Sequence, residues 1–254
     1  MSDWNSEQYT KFERERTQPS VDLISRIDAE PKTILDIGCG PGNSTNQLRR
    51  RFPTAQITGI DNSANMLEKA RASYPQMRFE MCSVPDGIGT LGTYDLVFSN
   101  ACLHWIPHHR ELYRILMGKV NPGGAFAVQM PLVQHAPFYK IVGEMTAEEK
   151  WKNLRTVKNF HNLLPEETYD ALLPVSGDIA MWDTTYYHVV SSHQSVIDWY
   201  KGSGLRPYLD MLDGAEQAEF LGELLARIKE RFPMQQDGTI LLKMPRLFFI
   251  ARQK

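Results

Sequence analysis

A glycine-rich loop offers the clearest chemistry in this sequence. Residues 35–45 carry glycines at positions 38, 40 and 42, and helix-like residues follow them. Glycines permit positive φ and a close approach of backbone to a ligand, and the start of a helix presents unpaired N–H groups. The dinucleotide fingerprint GxGxxG would need its third glycine at position 43, which is Asn43, and no GxxxxGK[ST] triphosphate loop occurs. The pattern therefore predicts a nucleotide-like ligand, departs from the dinucleotide fingerprint and excludes a triphosphate loop.

An acidic residue strengthens this interpretation. Asp61 follows a second β-rich run and comes nineteen residues after Gly42. In folds of this kind an acid at that place accepts hydrogen bonds from both hydroxyls of a ribose. A glycine loop alone is most often an ordinary turn. The loop and the acid together are far more specific, and they predict a ligand that contains a ribose.

The elements that must position these residues form a regular pattern. Residues 32–130 alternate short β-rich runs with helix-like segments in the order β-α-β-α-β-β-α-β, which is typical of a parallel sheet with crossover helices. The helix after the loop is expected to begin near Asn43 or Ser44, either of which can act as its cap, and Ser63 is expected to cap the next helix. The predicted strands cover residues 33–37, 56–60, 77–81, 94–98 and 125–129, the last after a turn at residues 122–124.

The texture of the chain changes after Met130. Residues 133–175 have a helical pattern, and they are followed by a β-rich run at 179–190, helices near 195–201 and 214–232, and a last strand at 239–251. Two late strands with helices between them can extend the same sheet. We therefore predict one α/β domain over residues 1–254, a doubly wound sheet of about seven mostly parallel strands with a C-terminal antiparallel strand and a helical insertion at 131–177.

Composition excludes several classes of protein. Of 254 residues, 28 are Lys or Arg and 30 are Asp or Glu, so the formal net charge of −2 gives no basic footprint for a nucleic acid. No run approaches the ~18 apolar residues of a membrane span. The N-terminal residues lack a secretory pattern, so we expect a cytoplasmic protein with no membrane partner. Its three cysteines are expected to be reduced, and no metal site is expected, since His108 and His109 lack ligand spacing.

Residues 32–130 resemble class I S-adenosylmethionine-dependent methyltransferases. The first motif of that family matches residues 35–42, its ribose acid matches Asp61, and its later motifs match residues 98–105 and 121–124. The resemblance implies a Rossmann-like fold, S-adenosylmethionine as cofactor and S-adenosylhomocysteine as product. One departure is Ser83, where family members commonly place an Asp for the adenine amino group, so we expect weaker adenine selection. The implied cofactor residues are Asp36, Gly38, Gly40, Gly42, Asp61, Asn62, Ser83, Val84 and Asn100.

Further stretches, most of them outside this core, resemble one subgroup of the family whose acceptor is a small polycarboxylate. They include residues 1–5, 129–131, 184–188, 198–199, 203–207 and 245–248. A carboxylate acceptor is ionised at neutral pH, because its pKa is near ~4, and it needs no general base. We therefore expect no catalytic side chain, and catalysis by orientation instead. Arginine clamps suit a polycarboxylate. The candidate acceptor residues are His104, Trp105, Tyr187, His188, Arg206 and Arg246.

Several readings stay open for these residues. Successive residues of a strand face opposite ways, so only one of Tyr186 and Tyr187 can face the acceptor, and Tyr187 is preferred. Arg206 can instead pair with Asp198 or Asp210, and Arg246 can lie along an edge strand. Residues 1–30 resemble the family's N-terminal helical lid, or they form a helix packed on the sheet. The rival functions are methylation of another free acid of malonyl or fatty-acyl type, and cofactor binding without catalysis. Oligomeric state is expected to be monomer or weak homo-oligomer.

Overall fold

The structure is a computed structural model that describes residues 13–157 and 160–253. Residues 4–12, which hold all three aromatic side chains of the predicted lid, lie outside that range. The described chain divides into two compact units: unit 1 comprises the described parts of 1–131, 161–183 and 247–254, and unit 2 comprises those of 132–160 and 184–246. The assignment of the whole chain to one domain stays a prediction, and each unit is described by itself below.

The sheet has the predicted architecture. In the described residues it contains seven strands in the order β3-β2-β1-β4-β5-β7-β6, mostly parallel with one antiparallel strand. The strand bounds are β1 Thr33–Ile37, β2 Gln56–Asp61, β3 Arg78–Met81, β4 Tyr94–Asn100, β5 Val120–Pro131, β6 Asp178–Val190 and β7 Ile240–Arg252. β1 pairs in parallel with both β2 and β4, and the central strands are buried as expected where helices cover both faces.

The helices of unit 1 connect these strands. Their bounds are α1 Glu13–Ser25, α2 Asn43–Arg51, α3 Ala64–Ser73, α4 His109–Met117 and α6 Pro165–Leu172. The Ser63 hydroxyl accepts a hydrogen bond from the Met66 N–H, so the predicted cap of α3 is confirmed. The predicted cap of α2 is wrong. Gly42 occupies the cap position in a left-handed conformation with no side-chain cap, because the Ser44 hydroxyl donates to Asp36 instead.

The fifth strand begins earlier than predicted. Residues 122–124 were expected to form a turn before a strand at 125–129, but β5 runs from Val120 through them. Val120 pairs with Tyr94, and the register shifts between Tyr94 and Leu96 to accommodate the extra residues. Gly123 takes a φ of +74° there. The turn-forming residues therefore make an irregularity inside a strand, since pairing with β4 on both sides outweighs their local preference.

One face of the unit 1 sheet is filled by aromatic side chains. The Phe126 ring on β5 meets the Tyr113 ring of α4 at 6.1 Å and the Phe249 ring of β7 at 5.4 Å, both edge to face. α6 packs against α4 on this part of the unit. All three rings are fully buried. Edge-to-face contacts add to the stabilisation from burial. The cluster therefore holds one face of β5, and α1 packs against the strand as well.

Unit 2 is mostly helical. It holds α5 Pro137–Ala147, α7 His193–Lys201, α8 Arg206–Leu209 and α9 Gly214–Arg231, and α9 packs against α5 and α7. Its core includes Phe138 stacked on Tyr200, with ring centroids 3.6 Å apart. Asp213 caps α9 in a capping box with Glu216. The predicted helices near 195–201 and 214–232 are therefore confirmed to within two residues at each end, the uncertainty that helix assignment normally carries.

Candidate active site

The glycine loop after β1 combines two packed glycines with an open one. Gly38, Gly40 and Gly42 have φ values of +69°, +54° and +93°, a region that side chains disfavour. A Cβ on Gly38 would lie 2.2 Å from the Cys102 Sγ, and one on Gly42 would lie 2.7 Å from the Tyr74 ring. A Cβ on Gly40 would meet no atom within 4 Å. Gly38 and Gly42 thus serve packing, while Gly40 leaves space that a ligand can fill.

Asp61 ties this loop to the helix that follows β2. Its Oδ2 accepts the Gly40 N–H at 2.9 Å, and its Oδ1 accepts the Ser63 N–H at 2.9 Å. The side chain is partly exposed. Each carboxylate oxygen can accept more than one hydrogen bond. Asp61 is therefore held in place by backbone donors and retains acceptor capacity for ribose hydroxyls, as its predicted role requires.

Asp36 lies beneath the loop and is completely buried. Its Oδ2 accepts hydrogen bonds from the Ser44 and Thr45 hydroxyls of α2 at 2.8 and 2.7 Å, while its Oδ1 has no partner among the described residues. Burial raises the pKa of Asp36 to about 6, the two hydroxyls oppose this, and the charge of Asp61 adds to it. Sequence reasoning did not assign Ser44 and Thr45 to the site, although two hydroxyl residues at the start of the helix were visible.

The remaining predicted cofactor residues lie along the same edge of the sheet. Ser83 is exposed just after β3, and its backbone carbonyl accepts the Gly87 N–H at 2.6 Å. Val84 is half-buried and Asn62 is exposed. Asn100 ends β4, and its Oδ1 is buried with no partner in the described chain. The positions expected to meet the adenine and the ribose follow β3 and lie at the end of β2, and Asn100 ends β4. The assignments stay predictions.

A short turn after β4 carries His104 and Trp105. His104 is buried and its ring lies 4.8 Å from the Trp105 ring. The turn is held from below by His109, whose Nε2 lies 2.9 Å from the Leu103 carbonyl oxygen. Burial lowers the pKa of His109, so it is neutral at pH 7, and the Nε2–H donates to that carbonyl. Sequence reasoning set His109 aside, yet it positions the turn that holds two candidate acceptor residues.

Unit 2 contains the other four candidate acceptor residues. His188 is buried, and its ring stacks on Trp199 at 4.7 Å and parallel to Tyr186 at 6.2 Å. Tyr187 points to the opposite face of β6 and is 59% exposed. The structure therefore places His188 with Tyr186 and not with Tyr187, because strand side chains alternate. The choice of Tyr187 as an acceptor residue stays a prediction, but it does not share a face with His188.

The two candidate arginines differ in burial. Arg246 on β7 is 7% exposed. Arg206 begins α8, and its Nε lies 3.9 Å from the Asp210 Oδ2, a long contact for an ion pair. The alternative partner Asp210 is therefore within reach, but at the limit of the distance. A buried guanidinium keeps its charge and its directed donors, which makes Arg246 well suited to bind an anion.

Within residues 13–157 and 160–253, no three His, Cys, Asp or Glu side chains are grouped to hold a metal ion. The described helices also include none that is long and apolar enough to cross a membrane.

Comparison with known proteins shows what this geometry belongs to. Residues 34–124 match the model of a methyltransferase domain. The sequence is 41% identical to a trans-aconitate 2-methyltransferase of Rhodopseudomonas palustris, over 99% of this chain and 99% of that relative. The chain belongs to the trans-aconitate 2-methyltransferase family. The membership confirms the predicted methyltransferase class and extends the likeness well beyond the glycine loop.

Solved structures agree on the fold of this family member. The YcgJ protein of Bacillus subtilis matches 92% of this chain and 98% of its own with a TM-score of 0.60 and 15% identity. A phosphoethanolamine N-methyltransferase of Haemonchus contortus, solved with S-adenosyl-L-methionine, matches 93% of this chain and 52% of its own with a TM-score of 0.54 and 17% identity. At these identities the likeness shows the fold alone, and it confirms the predicted Rossmann-like sheet of a trans-aconitate 2-methyltransferase.

Proposed function

We propose that this protein transfers a methyl group from S-adenosylmethionine to a carboxylate of trans-aconitate, giving the monomethyl ester and S-adenosylhomocysteine. The observation that carries the proposal is the likeness to trans-aconitate 2-methyltransferases along nearly the whole chain, which includes the part outside the cofactor core. We further propose that it acts in the cytoplasm on a small acid, without nucleic-acid or membrane partners, as a monomer or weak homo-oligomer.

The residues of unit 1 fit the cofactor. The space beside Gly40 admits a ligand close to the backbone, and Asp61 offers acceptors to ribose hydroxyls. The Asp36 Oδ1, which has no partner among the described residues, offers a buried acceptor to the ammonium group of the methionyl part of the cofactor. Ser83 and Val84 would contact the adenine, and Asn100 the methionyl end. When bound, S-adenosylmethionine supplies a methyl group on a positively charged sulfur.

The chain itself contributes orientation and not proton transfer. Because the acceptor carboxylate is ionised at neutral pH, the transfer needs no catalytic acid or base. His104 and Trp105, whose rings are in contact on the turn held by His109, are proposed to form a wall of the acceptor site. Arg206 and Arg246 are proposed to bind acceptor carboxylates, with His188 and Tyr187 as further donors. Holding the acid in one pose and excluding water provide the rate enhancement.

A transfer assay tests the proposal. The full chain is incubated with S-adenosylmethionine labelled in its methyl group and with a panel of acids: trans-aconitate, cis-aconitate, citrate, malonate and a fatty acid. We expect base-labile label on trans-aconitate with the highest kcat/KM of the panel. Preference for malonate or the fatty acid would support the rival acceptor, and calorimetric binding of the cofactor without transfer to any acid would indicate a binding protein.

A further inference from the structure

A buried glutamine on β5 has no role in the site described so far. Gln129 is completely buried, and neither its Nε2 nor its Oε1 has a hydrogen-bond partner among the described residues. Its neighbours on the strand, Val128 and Met130, are apolar and equally buried. Buried polar groups are nearly always hydrogen-bonded, because burying them unpaired costs free energy. An amide that lacks both partners therefore indicates a ligand that supplies them.

The strand register shows which way this amide faces. In the parallel pairs, Asp36 lies opposite Phe98, Phe98 opposite Ala127, and Asn100 opposite Gln129. Opposed residues share a face and alternate residues return to it. Asp36, Asn100 and Gln129 therefore share the face covered by α2, which donates to Asp36. Phe126 belongs to the other face, where the aromatic cluster fills the space.

This face carries several unpaired polar atoms at one end. The Asp36 Oδ1, the Asn100 Oδ1 and both polar atoms of the Gln129 amide are buried without partners in the part of the chain that the structure describes. They lie on three adjacent strands, β1, β4 and β5. The Asp36 and Asn100 oxygens are acceptors, and the Gln129 amide adds one donor, its Nε2, and one acceptor, its Oε1. The set can therefore bind a ligand that has both cationic and anionic groups, or two ligands.

Position along the sheet separates the roles. Five adjacent strands of the sheet run in the order β3-β2-β1-β4-β5. Ser83 follows the first of them, Asp61 ends the second, the glycine loop follows the third, Asn100 ends the fourth and Gln129 lies on the fifth. Neighbouring strands lie about 4.8 Å apart, so β5 is roughly 19 Å from β3. The proposed cofactor positions occupy β3 to β4. Gln129 is thus beyond the methionyl end, where the acceptor must lie.

We propose that Gln129 binds the acceptor acid, its Nε2 donating a hydrogen bond to a carboxylate oxygen that does not attack the methyl group. The inference rests on the proposed function. Donation to the attacking oxygen would lower its nucleophilicity, so the bonded oxygen is one of the others. A neutral amide adds no charge to the site and selects the acid by the position of its carboxylates, a specificity role that complements charged clamps.

Direct binding measures this role without turnover. Calorimetry is done on the full chain saturated with S-adenosylhomocysteine, with trans-aconitate as titrant, for the wild type, Gln129→Met and Gln129→Glu. Met keeps the shape and removes the donor. We expect its affinity for trans-aconitate to fall roughly 10-fold or more, because the lost bond is to a charged group. The affinity for S-adenosylhomocysteine should stay within about 2-fold.

The glutamate variant supplies a second signature. The carboxylate introduced by Gln129→Glu would repel the acid when ionised, so this variant should bind trans-aconitate more weakly than Gln129→Met at pH 8. Its affinity should recover toward that of Gln129→Met as the pH falls and the introduced carboxyl group is protonated. A purely structural role would not produce this recovery. Val128→Ala, on the opposite face of the same strand, is the control: it removes buried volume and should leave the affinity for the acid unchanged.

The outcomes separate this inference from the proposed function. If the wild type binds and methylates trans-aconitate while Gln129→Met binds it as tightly as the wild type, the role of Gln129 is wrong and the function stands. An equal loss of S-adenosylhomocysteine affinity would also overturn it by placing Gln129 at the cofactor. If the wild type fails to bind trans-aconitate at all, both the function and this inference fall.

Discussion

The cofactor edge of unit 1 and the candidate acid-binding residues of unit 2 are built on different principles. At the edge where we place the cofactor, the proposed site consists of backbone features: glycines with positive φ, N–H groups that donate to Asp61, and space beside Gly40. In unit 2 the candidates are side chains on a strand and a short helix, among them His188 stacked on Trp199 and the buried Arg246.

The difference explains how each region tolerates change. A backbone site constrains residue type, because an added Cβ at Gly38 collides with Cys102 whatever the side chain is. A site made of side chains instead requires each side chain to point toward the ligand, and the packing around it determines that direction. We therefore expect substitutions of the loop glycines to cause large losses of cofactor affinity or of stability, and substitutions in unit 2 to alter affinity for the acid by graded amounts.

The sharpest test compares two glycines in the same loop. Gly40→Ala should fold with a loss of about 1–2 kcal/mol from its positive φ, because its Cβ meets no atom within 4 Å. It should nevertheless weaken S-adenosylhomocysteine binding roughly 100-fold by placing a methyl group in the ligand's space. Gly38→Ala should mainly destabilise the fold, by about 2–4 kcal/mol from collision and strained φ. Calorimetry and thermal unfolding of both variants provide the measurement. Equal cofactor affinity in Gly40→Ala and the wild type would remove the ligand from this loop.

The arginines of unit 2 should give the next largest effect. Arg246→Ala and Arg206→Ala are each expected to raise KM for trans-aconitate roughly 10–100-fold, since a hydrogen bond to a charged group contributes about 1.5–3 kcal/mol. The KM for S-adenosylmethionine should not change. Steady-state kinetics on both variants, with Lys243→Ala on the same strand as control, decide the matter. Unchanged KM values for the acid in both variants would favour the rival acceptors.

The burial of Asp36 predicts a dependence on pH. With its pKa at about 6, the Asp36 carboxylate is ionised at pH 8 and increasingly protonated below pH 6. Cofactor affinity should therefore fall by up to about 10-fold for each pH unit below 6 if Asp36 binds an ammonium. Calorimetry from pH 5 to 8 measures this fall, and Asp36→Asn should flatten it. A profile for the wild type that is already flat would contradict the role.

The same group has the opposite effect on the free protein. Because the folded pKa of Asp36 lies above its ordinary value of 3.8, this residue favours folding most below pH 3.8, and that contribution is lost as the pH rises through about 6. Cofactor binding and the stability of the free protein should therefore respond to Asp36 in opposite directions across this range, which distinguishes a binding effect from general acid unfolding.

The smallest expected effect lies at Ser83. Ser83→Ala should weaken cofactor binding by about 2–10-fold, the range for one neutral hydrogen bond, and Ser83→Asp should strengthen it by a similar factor if the acid meets the adenine amino group. Competition between S-adenosylhomocysteine and its inosyl analogue, which lacks that amino group, is the readout. An unaltered ratio of the two affinities in both variants would place the adenine elsewhere.

Features that leave a mark on residue type were predictable from sequence. The glycine loop, Asp61 and the Ser63 cap each need a particular side chain, or none, at one position. The alternation of strands and helices over residues 32–130 was equally visible, since apolar runs must be buried. These features required no knowledge of which elements meet.

Features that depend on tertiary contacts were not. The start of β5 at Val120 depends on pairing with Tyr94, which outweighs the turn preference of residues 122–124. The alternation of side chains along β6 is predictable from sequence. Which of the two alternating sets is buried depends on the packing of His188 against Trp199, so a single sequence does not decide between Tyr186 and Tyr187. The unpaired amide of Gln129 has no signature in a single sequence, because satisfaction of a polar group is a property of its surroundings.

The hydrogen bonds of Asp61 have a consequence for the thermodynamics of binding. Because Gly40 and Ser63 are already fixed to the two carboxylate oxygens, the loop and the start of α3 hold their conformation before a ligand arrives. Little backbone entropy is then lost on association, so affinity reflects the new contacts more fully. Replacing Asp61 by Ala should accordingly make the binding entropy less favourable as well as remove contacts, a change that calorimetry separates into its two parts.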